Sequence, residues 1–155
     1  MFEFTLLDGD IDNWGLVYNP IDYAFAVPDG SLGGDGLTLL VNDLNLNLNC
    51  HGDIDGIWGL CPHPSWGVTK LVIPDFVNAQ LKYALFRNLV PGVSHRLNPE
   101  NRWTVKADPT SGWVCIDGNG YSDVSVRVAQ EVIIELRTDG SIVRLWLKPI
   151  ALPQL

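Results

Sequence analysis

The sequence predicts an α+β fold, in which one principal α-helix at about residues 76–90 covers an antiparallel β-sheet with the C-terminal hairpin of residues 131–148 at its centre. Apolar and polar residues alternate on both sides of Asp139-Gly140, a dipeptide that favours two-residue hairpin turns. Residues 76–90 instead carry apolar residues at helical spacing, on a face broad enough to lie on a sheet. With 155 residues and 46% hydrophobic content, the chain is expected to form a single domain spanning residues 1–155.

Outside the helix and the hairpin, the sequence predicts short strands. The first is expected at residues 2–7. Residues 44–48 alternate leucine with asparagine, which is the period of a strand with one buried face, and a turn or bulge is expected before them at Asn42-Asp43. The asparagines are predicted to face solvent. Two more strands are predicted at residues 103–106 and 113–116.

The helix prediction depends on the ends of the segment and on its apolar stripe. Asp75 is a favourable N-cap residue, and Pro91-Gly92 is typical of a helix end. The stripe consists of Val77, Leu81, Leu85 and Leu89. Because these residues are four positions apart, they would share one side of an α-helix. That side is predicted to pack on the sheet.

The hairpin specifies its own register. With Asp139-Gly140 in the turn, the facing positions are Thr138 and Ser141, Leu136 and Val143, Glu135 and Arg144, Ile134 and Leu145, and Val132 and Leu147. Apolar residues then meet on one face and opposite charges on the other, and a slip of one residue would destroy both sets. The strand entering the hairpin is expected to begin near Asp123. Trp146 lies on the charged face, so either the helix covers that face or Trp146 is an exposed anchor.

Composition and cysteine content predict a cytoplasmic protein. Residues 1–20 lack the basic start and apolar run of a signal peptide, and no later apolar stretch has membrane-spanning length. Cys50, Cys61 and Cys115 are a sparse and odd-numbered set, as expected of reduced thiols. A disulfide between Cys50 and Cys61 is the alternative.

The negative charge is concentrated in one half of the chain. Residues 1–69 contain Glu3 and nine aspartates without Lys or Arg, a formal charge of −10, whereas the rest contains ten basic and eight acidic residues. Such a field repels phosphate backbones and speeds encounter with basic partners or cations. The sequence therefore predicts a basic protein partner, with no binding to nucleic acid or membranes.

A short internal repeat contains two Asp-Ile-Asp segments. Gly9 to Leu16 recurs as Gly52 to Leu60 with one inserted residue. In an extended conformation, the two carboxylates of each copy project to the same side. Asp10, Asp12, Asp53 and Asp55 are therefore candidates for binding the basic partner. Coordination of Ca²⁺ is the alternative, because hard carboxylate oxygens are its usual ligands.

Aromatic residues accompany both copies of the repeat. The chain contains six tryptophans, and exposed Trp beside Asp or Asn can bind proteins or sugars. We therefore include tryptophans close to the aspartates in the predicted partner-binding set. That set comprises Asp10, Asp12, Trp14, Asp53, Asp55, Trp58 and Trp66.

No cofactor is predicted, and catalysis is not the expected function. The chain lacks a nucleophile-elbow sequence and a cysteine-hydrolase signature. Cys50, His51, Cys61 and His63 place four zinc-type ligands within fourteen residues, but their spacing is not that of a zinc finger. A zinc site at these four residues is therefore kept only as an alternative.

In size, acidity and lack of catalytic motifs, the chain is similar to the immunity proteins that protect bacteria from nuclease-type toxins. This resemblance implies an inhibitor whose basic partner is a toxin domain. Two alternatives remain. One is a carbohydrate-binding module that uses Trp58, Trp66 and the Asp/Asn loops, and the other is a small metal-dependent hydrolase built on the two Asp-Ile-Asp turns.

Overall fold

The computed structural model describes residues 3–28, 36–98 and 102–155. It is 45% strand and 4% helical, so the predicted α+β class is wrong and the fold is nearly all β. Within the described ranges, the helical residues are two 3₁₀ turns, His63–Ser65 and Phe86–Asn88. No helix in these ranges is long and apolar enough to cross a membrane.

The described residues form fifteen strands. They are β1 (Phe4–Leu7), β2 (Val17–Asn19), β3 (Ala24–Ala26), β4 (Leu37–Val41), β5 (Leu44–Leu48), β6 (Ile54–Leu60), β7 (Gly67–Val68), β8 (Val77–Asn78), β9 (Gln80–Tyr83), β10 (Ser94–Arg96), β11 (Thr104–Ala107), β12 (Val114–Asp117), β13 (Val124–Ala129), β14 (Val132–Leu136) and β15 (Ile142–Leu147).

Two large sheets enclose the core. One has six strands in the order β10-β4-β5-β6-β3-β2, and the other has seven in the order β7-β11-β12-β15-β14-β13-β8. Leu46 and Ile57 of the first sheet belong to the same buried cluster as Ile116, Ile134 and Leu145 of the second. Alternate residues of each strand therefore meet between the sheets, as in other two-layer β proteins.

The small β1-β9 sheet links the two large ones. Ala79, next to β9, donates its backbone N–H to the carbonyl of Arg127 in β13 at 3.3 Å. Lys82 in β9 forms an isolated antiparallel bridge with Asp53, beside the first residue of β6. This link brings the start of β6 close to the end of β13, where the candidate site lies.

The predicted helix at about residues 76–90 is wrong. Its residues form β8, β9 and a 3₁₀ turn. Ala79, Leu81 and Tyr83 are buried while Gln80 and Lys82 are not, which is the alternation of a strand. Apolar residues four positions apart lie on one side of a strand, whose period is two residues, as well as on one side of an α-helix, whose period is 3.6. The pairing of β9 with β1 favours the strand.

The hairpin lies in the middle of the seven-stranded sheet. The pairs Val132–Leu147, Ile134–Leu145 and Glu135–Arg144 are confirmed, but Leu136 pairs with Ile142 and not with Val143. The register shifts because the turn is a three-residue loop of residues 138–140. Gly140 donates its N–H to the carbonyl of Arg137 at 2.9 Å.

The predicted turn on Asp139-Gly140 is therefore wrong by one residue. Gly140 has φ 80° and is the last residue of the loop, as in other hairpins with a three-residue loop. Its carbonyl accepts the N–H of Phe4 at 3.1 Å, which joins β1 to the turn. The strand before the hairpin is also shorter than predicted, because Gln130 and Glu131 form a turn between β13 and β14.

A strap, residues 69–76, crosses the outer face of the seven-stranded sheet. It connects β7 at one edge to β8 at the other. Six intervals between neighbouring strands span about 29 Å, and the nine steps from Val68 to Val77 reach about 30 Å in an extended chain. The strap must therefore be nearly straight. Leu71 and Ile73 pack on Trp146. The strap therefore covers the charged face of the hairpin, and Trp146 is not an exposed anchor.

Candidate acidic surface

The structure brings the two Asp-Ile-Asp segments together. Asp12 donates its backbone N–H to the carbonyl of Val128 at 3.1 Å and forms a parallel bridge with Ala129. Asp53 and Asp55 lie at the beginning of β6, where Ile54 is buried. The second copy is thus the start of a strand and not a turn. We call Asp10, Asp12, Asp53 and Asp55 the acidic surface.

Amide side chains hold these carboxylates in place. Gln80 in β9 donates through Nε2 to the backbone oxygen of Asp10 and to Oδ1 of Asp12, both at 3.2 Å. Asn47 donates through Nδ2 to Oδ1 of Asp55 at 2.6 Å. Sequence reasoning assigned Gln80 to a helix and Asn47 to a solvent-facing row, so it missed both contacts. The correct strand period of residues 79–83 would have pointed to Gln80.

The carboxylates repel one another. Burial raises the pKa of Asp12, and the charge of Asp53 raises it further. Burial also raises the pKa of Asp55; Asn47 opposes that shift, while Asp12 and Asp53 add to it. Segments about forty residues apart in sequence therefore bring like charges into mutual range.

Within the described ranges, no cation compensates these charges at close range. Among the described residues, no Lys, Arg or His nitrogen lies within 4.0 Å of the four carboxylates. Lys82 is next to Asp53 through its backbone, but its ammonium group lies over the ring of Phe86, 5.1 Å from the centroid. The negative charge of the acidic surface is therefore not neutralised at close range by the described side chains.

Two buried polar atoms near the acidic surface lack a hydrogen-bond partner in the described part of the chain. They are Oδ1 of Asp53 and Nε1 of Trp14. The Trp14 indole N–H lowers the pKa of Asp12, yet it lies outside hydrogen-bond geometry. A buried polar atom without a partner is destabilising, so neither atom is arranged for maximal stability of the fold.

These pKa shifts predict how stability depends on pH. A carboxyl whose pKa is raised by folding binds its proton more tightly in the folded state, so its contribution to stability falls as pH rises above the ordinary value of 3.8. The double variant D12N/D55N keeps the acceptor oxygens for Gln80 and Asn47 but removes both charges. Its melting temperature should exceed that of the wild type at pH 7.

The advantage of D12N/D55N should shrink as pH falls from 7 towards the ordinary value of 3.8, because folding raises the pKa of Asp12 and Asp55 and so favours their protonated forms. Thermal unfolding of both proteins across this range measures it. The comparison variant is D123N, which removes a single carboxylate whose pKa shifts in the opposite direction. The pKa of Asp123 is lowered by hydrogen bonds from Thr138, so this variant should be less stable than the wild type at pH 7. A double variant less stable than the wild type at pH 7 would contradict the assignment of mutual repulsion.

The three tryptophans of the predicted partner-binding set differ in their exposure to solvent. Trp58 in β6 is 36% exposed and lies next to Asn45 on the outer face of the six-stranded sheet. Trp14 is half-buried. Trp66 is only 6% exposed and packs on Tyr18 with ring centroids 4.9 Å apart. Trp66 is therefore a core residue, and its place in the predicted partner-binding set is not supported.

The four zinc-type ligands are not brought together. Cys50 and His51 precede β6, and Cys61 and His63 follow it. Seven strand residues separate the two pairs by about 20 Å. In the part of the chain that the structure describes, no group of three or more His, Cys, Asp or Glu side chains is placed to hold a metal ion.

All three cysteines are free thiols, and Cys50 is exposed. The alternative disulfide between Cys50 and Cys61 is therefore absent. Burial raises the pKa of Cys61 to about 11 and that of Cys115 to about 12. Because the thiolate is the nucleophile, both side chains are unreactive near neutral pH.

The asparagines of β5 are buried, contrary to prediction. Ser94 donates through Oγ to Oδ1 of Asn45 at 3.0 Å, and Asn47 is bonded to Asp55. Both residues are less than 9% exposed. Their amide groups therefore bond to neighbouring side chains within the protein. Few of their hydrogen-bonding groups remain for a sugar ligand beside Trp58.

The described residues form a nearly all-β protein with an acidic surface assembled from two distant segments. The chain matches no known protein-family model and no curated protein in sequence.

Proposed function

We propose that the chain is a small acidic inhibitor of the immunity-protein kind, which binds a basic protein such as a nuclease-type toxin domain through the acidic surface. Trp14 and Trp58 would contribute aromatic contacts to the same interface. The proposal places the protein in the cytoplasm, where an exposed free thiol such as Cys50 persists.

The observation that carries the proposal is the convergence of Asp12, Asp53 and Asp55. Beyond the effect of burial, the charge of Asp53 raises the pKa of Asp12, and the charges of Asp12 and Asp53 raise that of Asp55. No cation lies at close range among the described residues. Selection for stability alone would separate them or pair them with Lys or Arg. Local features that oppose stability are expected at binding sites, and a concentrated negative field attracts a basic partner.

The position of Trp58 is consistent with one continuous interface. Trp58 is three residues beyond Asp55 in β6, which corresponds to about 10 Å along the strand. Trp is enriched among the residues that dominate protein–protein binding energy. The carbohydrate-binding alternative has less support, because Asn45 and Asn47 already bond to neighbouring side chains.

The experiment compares two variants that change the same number of charges. The test variant is D10N/D12N/D53N/D55N, and the control variant is D22N/D75N/E131Q/D139N. All replacements are amides of similar shape, so acceptor oxygens are retained. The wild type, immobilised at low salt, should capture a basic protein from the native cell lysate and release it at high salt.

The control variant should capture the same protein as the wild type, and the test variant should lose most of it at physiological salt. The purified partner then allows an activity assay, in which the wild type should suppress its nuclease activity. Equal capture by the test variant and the wild type would refute the acidic surface as the binding site. Loss of a stoichiometric Ca²⁺ ion in the test variant would instead favour the metal-dependent alternative.

A further inference from the structure

An apolar groove lies between β1 and the C-terminal hairpin. Its volume is about 380 Å³. Phe4, Thr5 and Leu6 line one side, and Val124 and Leu136 line the other. Gly140 closes one end, because its carbonyl accepts the N–H of Phe4 at 3.1 Å. The groove therefore begins where β1 leaves the hairpin turn.

Leu6 is oriented towards the core and yet remains exposed. It shares one face of β1 with Phe4, which is buried against Tyr83 with ring centroids 5.3 Å apart. Its cross-strand partner Leu81 is 1% exposed, but Leu6 is 39% exposed. The difference arises because the groove beside Leu6 is open. An apolar side chain placed in the groove would complete the burial of Leu6.

The backbone of Leu6 also faces the groove. The carbonyl of Glu3 accepts the N–H of Ala84 at 2.8 Å and therefore points towards β9. The N–H of Phe4 donates to Gly140 on the opposite edge of β1. Backbone groups alternate in direction along a strand, so Leu6 points its N–H and C=O away from β9. Among the described residues no strand pairs with β1 on that edge. Such an edge is a template for strand addition.

The charge around the groove favours a basic occupant. Asp123 lines it, and Asp8 and Asp10 follow β1 within four residues of Leu6. Arg137 also lines the groove and balances the charge of Asp123, so the excess negative charge comes from Asp8 and Asp10 beyond the end of β1. Asp10 belongs to the acidic surface, so the groove and that surface are continuous along the chain.

We infer that an extended segment of the basic partner adds to the free edge of β1, pairs with the backbone of Leu6 and places an apolar side chain in the groove. Basic side chains of the same segment extend towards Asp8 and Asp10. This inference rests on the proposed function and specifies how the partner binds. Backbone pairing supplies affinity in such complexes, and the pocket and the charges supply specificity.

The probe is the synthetic peptide acetyl-Lys-Val-Lys-Val-Lys-amide, which has the required alternation of apolar and basic residues. Amide NMR spectra of the ¹⁵N-labelled protein should show shifts at Leu6 and Val124 and slower exchange of the Leu6 N–H. The matched control peptide has N-methylated valines, which prevents strand pairing without changing charge. Binding of the control peptide as tightly as the probe would contradict strand addition.

Two variants distinguish the contribution of the Leu6 backbone N–H to peptide binding from that of its side chain. Leu6→Pro removes the free N–H but leaves the bonds of β1 to β9, because proline is tolerated on the open side of an edge strand. Leu6→Ala removes the same side chain and keeps the N–H. Leu6→Pro should bind the peptide about tenfold more weakly than Leu6→Ala. Equal affinities, or no binding of the peptide to the wild type, would overturn the inference.

Partner capture distinguishes this inference from the proposed function. If Leu6→Pro captures the partner as the wild type does while D10N/D12N/D53N/D55N does not, strand addition is wrong and the acidic surface remains the site. If D10N/D12N/D53N/D55N captures the partner normally, the proposed function fails whatever the peptide result. Both variants should first show the wild-type amide spectrum away from their own substitutions.

Discussion

Replacing Glu135 with alanine should lower the free energy of unfolding by about 3–5 kcal/mol, because it breaks a buried charged network. Glu135 is 5% exposed. It accepts hydrogen bonds from Nη1 of Arg144 at 2.9 Å and from Nε1 of Trp146 at 2.6 Å. Alanine would leave both donors without this acceptor under the strap. Asp117 accepts a hydrogen bond from Nε of Arg144 at 2.7 Å, but it compensates only part of the guanidinium charge.

The matched control for this prediction is Glu135→Gln. Glutamine keeps one acceptor oxygen for Trp146 or Arg144, so it should cost less, about 1–3 kcal/mol. Urea unfolding of both variants, followed by tryptophan fluorescence, gives the two free energies. An alanine variant as stable as the wild type would show that the hydrogen bonds of Glu135 to Arg144 and Trp146 do not stabilise the fold.

Replacing Trp66 with alanine should cost about 3–5 kcal/mol, as expected for a large buried aromatic residue. Trp66 packs between Tyr18 and Phe25, with ring centroids 4.9 and 6.1 Å away. The same change at Trp58 should alter stability by about 1 kcal/mol or less, because Trp58 is partly exposed on the sheet face.

Binding of the partner should show the opposite order. Trp58→Ala should weaken binding by about 2 kcal/mol, the scale of a dominant interface residue, while the folded fraction of Trp66→Ala should bind normally. Urea unfolding and titration with the purified partner measure the two effects. A Trp58 variant that binds normally would remove Trp58 from the interface.

The paired strands could be predicted from sequence where local patterns agree with the final fold. The alternation of β14 and β15 is strict, and opposite charges at Glu135 and Arg144 support the same register. The turn lies one residue from its predicted position, because Thr138, Asp139 and Gly140 form a three-residue loop with Gly140 at positive φ, and Asp-Gly suits this loop as well as a two-residue turn. The strap could not be predicted, since its extended course depends on the positions of β7 and β8.

The helix prediction failed for a physical reason that applies to other sequences. Leu81 and Leu85 are four positions apart, which suits both a helix face and a strand face. The evidence for a strand is the alternation of buried Tyr83 with the less buried Gln80 and Lys82. Pairing with β1, which lies some seventy residues earlier in the chain, stabilises β9. Tertiary pairing overrides weak local helix preference in such segments.

The repeat in the sequence indicated which aspartates converge, but not the side chains that hold them. The charge division and the repeated Asp-Ile-Asp segments pointed to Asp12, Asp53 and Asp55, which the structure places within mutual range. The burial of Trp66 was not predicted, because a tryptophan in a loop-rich sequence gives no sign of which side it faces. Aromatic clusters form between distant segments, here β2, β3 and residues 63–66.

The most direct test of the proposed function is the association rate of the purified partner as a function of salt. From about 0.01 M to about 1 M salt, the Debye length falls from about 30 Å to about 3 Å, so a rate that depends on steering by charge should fall with it. We expect a steep decline for the wild type and for D22N/D75N/E131Q/D139N. For D10N/D12N/D53N/D55N we expect a several-fold lower rate at low salt and a flatter dependence. The same salt dependence in all three proteins would contradict the account.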